Sequence, residues 1–238
     1  MARFVCVHGA FQGGWVFSRL ARELRTRDHD VHAPTLSGCG HHGHYKDARL
    51  GLTVFCRDLA AYLVLEDLTD VILVVHSYSG LIYLGAMPEL LPRLAGLICI
   101  EAILPDSGQS FAELGGEPFR AMLASRLVDG WLVEPWPAAM FGLAGAPEAE
   151  WFMSRVSPFP LSGFTDQLPA QPLRLPEKRH YIRCTQNPNP MLHAMAKKAE
   201  GLGFTMQAID SGHCPQVTAP AALAALLSGL AESMTAAA

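Results

Sequence analysis

Half of the 238 residues are hydrophobic, 17% are charged, and the formal net charge is −4. That balance fits a globular chain with one large core and excludes a disordered one. No basic run extends beyond Lys197-Lys198, and no apolar run reaches the roughly 18 residues of a membrane span. Neither nucleic acid nor a membrane is therefore an expected partner.

The chain opens MARFVCVHG and enters an apparent strand, Phe4–His8, at once. That leaves no room for a signal peptide and gives the expectation of a cytoplasmic protein. The six cysteines show no CxxC spacing, and Cys6, Cys99 and Cys184 lie in strand-like runs. They read as reduced, mostly buried thiols.

Helical spacing over Trp15–Leu24 is followed by a short extended piece, Val31–Ala33, and a second amphipathic helix, Val54–Glu66. Val71–Val75 is a continuous apolar strand. A helix follows it and is expected to stop near Pro88, and Leu97–Ile100 is another buried strand. Apolar strands alternating with helices predict an α/β fold: a mostly parallel sheet with helices on both faces.

From about 106 to 176 the rhythm breaks into Pro, Gly, Trp and Phe with short helical pieces, which reads as a small inserted helical cap over a site. Strands and helices resume with His180–Cys184, Met191–Glu200 and Phe204–Ile209. A last helix spans Ala219–Ala231, with Thr218 as its N-cap, and the closing MTAAA is expected to fray. The whole chain, 1–238, is expected to form a single domain.

The sharpest local signal is LVVHSYSG. A buried strand runs straight into His76, Ser77 and Tyr78, and the small residues Ser79 and Gly80 follow. This is the pattern of a strand-to-helix elbow with a serine at its apex. A serine hydroxyl needs a base to become a nucleophile. His213, in DSGHCPQ, lies in the loop after the last predicted strand, where parallel sheets place their sites. For the oxyanion, the expected donors are the Tyr78 N–H at the start of the next helix and the Ala10 N–H in VHGAFQGGW. Phe11, beside Ala10, and the cap residues Trp131 and Trp136 are candidates for an apolar substrate pocket. Trp151, Phe141, Phe152 and Phe159 also crowd the cap, as core or as lining. His8 and His76 read as fixed, hydrogen-bonded histidines.

These residues resemble the α/β-hydrolase superfamily across nearly the whole chain. The nearest resemblance is to the small group of plant salicylate methyl esterases and hydroxynitrile lyases and their bacterial relatives. VHGAFQGGW is similar to their opening loop, LVVHSYSG to their elbow, LPDSGQS to the entry to the cap, and YIRCT and GHCPQVTAP to their C-terminal part. The resemblance implies Ser77 as nucleophile, His213 as base, and Ala10 and Tyr78 as oxyanion donors.

Two positions depart from the family. Val75 stands where a glycine is usual, which crowds the elbow. The loop after His180–Cys184 reads TQNPNPM, without the aspartate that the plant enzymes carry there. Bacterial relatives carry an acid at the end of the preceding strand instead, and CIEA puts Glu101 at that point. Asp106 is the alternative acid. Asp210 precedes His213 by three residues and is expected to point away.

The expectation is a serine hydrolase with a Ser77–His213–Glu101 triad, acting on a small, largely apolar ester or lactone. No cofactor is needed, and a homodimer is compatible with an apolar cap. A lyase, cyclase or acyl-transfer enzyme of secondary metabolism using the same site for acid–base chemistry is the alternative, and a non-catalytic binder is a further one. No metal site is expected. CGHHGHY, from Cys39 to Tyr45, lacks an obvious fourth ligand and reads as a loop near the mouth of the site.

Overall fold

A computed structural model describes residues 1–235. In chain order, β1 (Arg3–Val7), α1 (Ser18–Arg25) and β2 (Asp30–His32) precede α2 (Leu52–Leu65), β3 (Val71–His76), α3 (Ser79–Leu90) and β4 (Leu94–Ile100). The cap segment holds α4 (Phe111–Ser125), β5 (Leu127–Val128), β6 (Leu132–Val133), α5 (Ala149–Met153), β7 (Phe159–Pro160) and α6 (Leu161–Thr165). The chain ends with β8 (Arg179–Cys184), α7 (Pro190–Gly201), β9 (Thr205–Ile209), α8 (Pro215–Thr218) and α9 (Pro220–Thr235).

Six strands form one all-parallel sheet in the order β2-β1-β3-β4-β8-β9. β3 is central and buried along its whole length, which is why it reads as an unbroken apolar run. β9, at the edge, is partly exposed. The chain runs outward to β2 on one side of β1 and returns through β3 on the other. The strand ends around this reversal are where an open parallel sheet leaves a crevice.

Three sequence expectations change in detail. The cap is not purely helical, because β5, β6 and β7 form a small antiparallel sheet. α3 does not stop near Pro88 but runs through it to Leu90. A proline inside a helix orphans the carbonyl four residues earlier. Here that carbonyl, of Leu84, accepts the Gln171 Nε2–H at 3.0 Å, so a distant side chain offsets the loss.

Thr218 is not the N-cap of the last helix. Its hydroxyl donates to the Cys214 carbonyl, and the Leu223 N–H bonds the Ala219 carbonyl, which puts Ala219 at the cap position. The closing MTAAA is helical through Thr235, and its last three residues lie outside the described ones.

All six cysteines are free, and five are buried. Burial pushes the Cys39 thiol up to about 12, far from the thiolate form that reacts. Among the described residues no helix is long and apolar enough to cross a membrane.

Candidate active site

Ser77 occupies the turn between β3 and α3 with φ of 56°, in the left-handed region. A non-glycine residue there costs of order 1–3 kcal/mol and persists only if its surroundings hold it. They do so through β4. The Ser77 N–H donates to the Ile100 carbonyl at 3.1 Å, and the Ser77 carbonyl accepts from the Ile103 N–H at 2.9 Å.

Close packing explains the glycines around the turn. A Cβ on Gly80 would lie 2.3 Å from the Ile103 carbonyl oxygen, so α3 can approach the end of β4 only without a side chain there. A Cβ on Gly9 would lie 3.2 Å from the Ser77 Cβ, which puts the opening loop directly against the elbow.

Val75 does not disturb this arrangement. It stays in the β3 ladder, in register with Val7 and Cys99. Ser79 contributes a tie that the sequence did not reveal. Its hydroxyl accepts the His76 N–H at 2.8 Å and lies 2.8 Å from the Val7 carbonyl of β1, to which it can donate.

His213 lies between β9 and α8, and its Nε2 is 3.0 Å from Ser77 Oγ. On the other side its Nδ1 is 3.4 Å from Glu101 Oε2. Glu101 directly follows β4 with φ of 46° and is fully buried. Its Oε1 accepts the Cys184 N–H at 2.9 Å, and its Oε2 accepts from Asn187 Nδ2. A buried carboxylate without such donors would be costly.

The other two acids point elsewhere. Asp106 is exposed and pairs with Lys198 at 2.6 Å. Asp210 turns away from His213 to accept from Thr185 and Gln186, each at 3.0 Å.

The oxyanion candidates lie on the same rim. Neither the Ala10 nor the Tyr78 N–H has an acceptor among the described residues. Tyr78 immediately precedes α3, where helix N–H groups are unpaired and the dipole favours negative charge. The Tyr78 ring itself is buried against Phe55, Phe159 and Phe164, so only its backbone is available to a ligand.

A pocket of about 280 Å³ opens onto Ser77 and His213. Its walls are Ile103, Phe111, Phe119 and Trp136 together with three methionines, and Asn189 adds a polar group. No Asp, Glu, Lys or Arg lines it.

Of the aromatic candidates, Trp136 lies in this lining. Phe11 stands behind the wall, edge-on to Trp136 at 4.8 Å between ring centroids. Trp131 is not in the lining, because it sits in the turn joining β5 to β6 and its carbonyl binds the Leu161 N–H. Phe141, Phe152 and Phe159 are core residues of the cap. Phe111, Phe119, Met140 and Met191 also line the pocket, and nothing in their spacing along the sequence sets them apart from core. CGHHGHY runs from the buried Cys39 into a half-exposed 3₁₀ turn whose Gly40 faces Gly13, and none of its side chains reaches the pocket.

Two further histidines brace the site without facing it. Leu36 N–H donates to His8 Nε2 and His8 Nδ1 lies 2.9 Å from the Gly9 carbonyl, which fixes the tautomer protonated on Nδ1. His76 Nε2 donates to the His213 carbonyl at 2.8 Å. Burial lowers His8 from 6.5 to about 4, and burial, with the neighbouring His213 adding to it, holds His76 well below 6.5.

Unfolding frees both imidazoles to take a proton. The unfolded chain therefore binds more protons from pH 6.5 down to about 4 for His8, and stability falls as pH is lowered through that window. The expected slope is ~1.4 kcal/mol per pH unit for each histidine. Urea midpoints at pH 7 and pH 5 measure it, and equal midpoints would count against neutral, buried imidazoles.

A known family shares this architecture. The model of the alpha/beta hydrolase family matches residues 4–226. The chain belongs to that family. It is 30% identical to the carbendazim hydrolyzing esterase of Nocardioides sp. (strain SG-4G), over 97% of this chain and all of that one.

Two solved structures share the fold. An extracellular alpha/beta-hydrolase from a Paenibacillus species superposes with a TM-score of 0.83 at 22% identity, covering 97% of this chain and 99% of that one. Tomato methylketone synthase I gives 0.81 at 19%, covering 98% and 99%. The hydrolase described here thus has the parallel six-stranded sheet and flanking helices of this family.

Proposed function

We propose that this hydrolase cleaves small, neutral, largely apolar carboxylic esters or lactones through an acyl-enzyme on Ser77. The observation that carries the reading is the 3.0 Å contact of Ser77 Oγ with His213 Nε2 at a strained elbow, with buried Glu101 behind the imidazole. Ester hydrolysis by the Nocardioides relative supports the reaction class. The uncharged lining supports a neutral substrate, since a free carboxylate would enter without a cation to meet it.

In this reading Ser77 Oγ attacks the ester carbon while its proton passes to His213 Nε2. Glu101 accepts a hydrogen bond from Nδ1 and offsets the charge of the imidazolium. The Ala10 and Tyr78 N–H groups hold the oxyanion, and each such donor is worth ~10²–10³ in rate. His213 then gives its proton to the departing alkoxide, and the alcohol leaves. Water, deprotonated by His213, attacks the acyl carbon; the Ser77–acyl bond breaks as Ser77 Oγ takes that proton back from His213, and the acid is released.

A lyase-type reading, with Ser77 and His213 acting only as acid and base, draws on the long 3.4 Å separation of His213 from Glu101. A non-catalytic binder would need Glu101 out of reach of His213, and the 3.4 Å separation counts against it.

A fluorophosphonate probe separates the first two readings. The acyl-enzyme route predicts one adduct, on Ser77, with turnover lost in parallel and no labelling of Ser77→Ala. A folded, active protein that resists the probe would favour the lyase-type route.

A further inference from the structure

Asn187 stands beside both Glu101 and His213, and the triad as proposed leaves it without a task. Its Nδ2 donates to Glu101 Oε2 and lies 3.5 Å from His213 Nδ1. The amide cannot flip freely. Its Oδ1 accepts the Asn189 N–H at 3.1 Å, so the NH₂ end must face the carboxylate.

The backbone is held as well, because His193 Nε2 donates to the Asn187 carbonyl at 2.8 Å. Asn189 in turn caps α7 by accepting the Met191 N–H. Asn187 is thus anchored from the α7 side and offers its one free donor pair to the site.

Glu101 needs that donor. It is fully buried, and among the described residues its one ion-pair partner is His213. The Cys184 N–H satisfies Oε1. Without Asn187, Oε2 would face the imidazole alone, at the long distance of 3.4 Å, and the carboxylate could rotate away.

We propose that Asn187 is a positioning residue: its amide clamps the Glu101 carboxylate with Oε2 turned to His213 Nδ1, and so keeps His213 in the tautomer whose bare Nε2 faces Ser77. The inference rests on the Ser77–His213–Glu101 reading and adds the group that orients its acid.

The test uses Asn187→Asp and Asn187→Ala in the full chain. Asn187→Asp keeps the shape and an oxygen for the Asn189 N–H, so it preserves the loop. It replaces the donor to Oε2 with a second carboxyl oxygen. Two such oxygens share one proton or repel each other. The expected result is an added ionisation in the kcat/KM–pH profile, absent from the parent, with kcat ~10- to 100-fold lower above it.

Asn187→Ala should lose ~10- to 100-fold in kcat at neutral pH. KM should be unchanged, because Asn187 does not line the pocket. A residue that only shapes the loop would give Asn187→Asp the parental profile, and that result overturns the proposal even if Asn187→Ala folds poorly.

Glu101→Gln and Ser77→Ala, assayed alongside, keep the two questions apart. Full turnover in Glu101→Gln at an unchanged thermal midpoint removes the acid assignment and the inference with it. An inactive Glu101→Gln beside a parental Asn187→Asp profile overturns the inference alone.

Discussion

Ser77→Ala is expected to lower turnover of an activated ester by about 10⁶-fold, the order of loss when a nucleophilic serine is removed from a triad acting as a unit. Only the hydroxyl is lost. Alanine can keep the hydrogen bonds of the Ser77 N–H and carbonyl to Ile100 and Ile103, so the elbow should survive. Alanine and serine also tolerate the 56° φ about equally, and the thermal midpoint should move by no more than a few degrees. The uncharged pocket remains, so a slow substrate should still bind. A rate within tenfold of the parent, with the midpoint unchanged, would show that some other group attacks the ester.

The reach of the sequence follows from how specific each physical signal is. Val71–Val75 is legible because a strand buried on both faces must be apolar throughout, and the elbow because HSYSG follows such a run and stands in order between HGA near the start and GH near the end. Glu101 is legible because a carboxylate ending a buried strand demands a partner.

The cap is different. Its walls and its core draw on the same aromatic and aliphatic residues, so nothing in the sequence separates Phe119, which lines the pocket, from Phe141, which does not. Trp131 has the composition of a pocket residue, but the turn between β5 and β6 carries it away from the cavity.

Polar ties between distant segments are equally silent. Pro88 reads as a helix stop because Gln171, which makes it tolerable, lies far along the chain. Asn187 reads as one turn residue among several in TQNPNP, since asparagine is common in turns whether or not it has a partner. Gly142 shows the same limit. It ends a cap turn in the left-handed region, and a Cβ there would come within 2.3 Å of the His213 N, so the cap rests on the histidine loop itself.

The second large effect is expected from Glu101→Gln, a loss of ~10³- to 10⁴-fold in kcat. Glutamine has nearly the same shape, so the loss would come from the hydrogen-bonding pattern. Glu101 accepts from the Cys184 N–H on one oxygen and from Asn187 and His213 on the other. An amide cannot accept on both sides. With its NH₂ toward the imidazole, it faces the donors of Asn187 and the Nδ1 proton. His213 then relieves the clash by moving its proton to Nε2, where it can no longer take one from Ser77. With the NH₂ toward Cys184, it opposes a buried backbone N–H and destabilises the end of β4. Kinetics and stability therefore report on different orientations. A fall in kcat and in fluorophosphonate labelling at an unchanged thermal midpoint indicates the first, and a lowered midpoint the second. Parental kcat together with a parental midpoint would mean that Glu101 neither orients His213 nor holds the strand end, and the acid assignment would have to be abandoned.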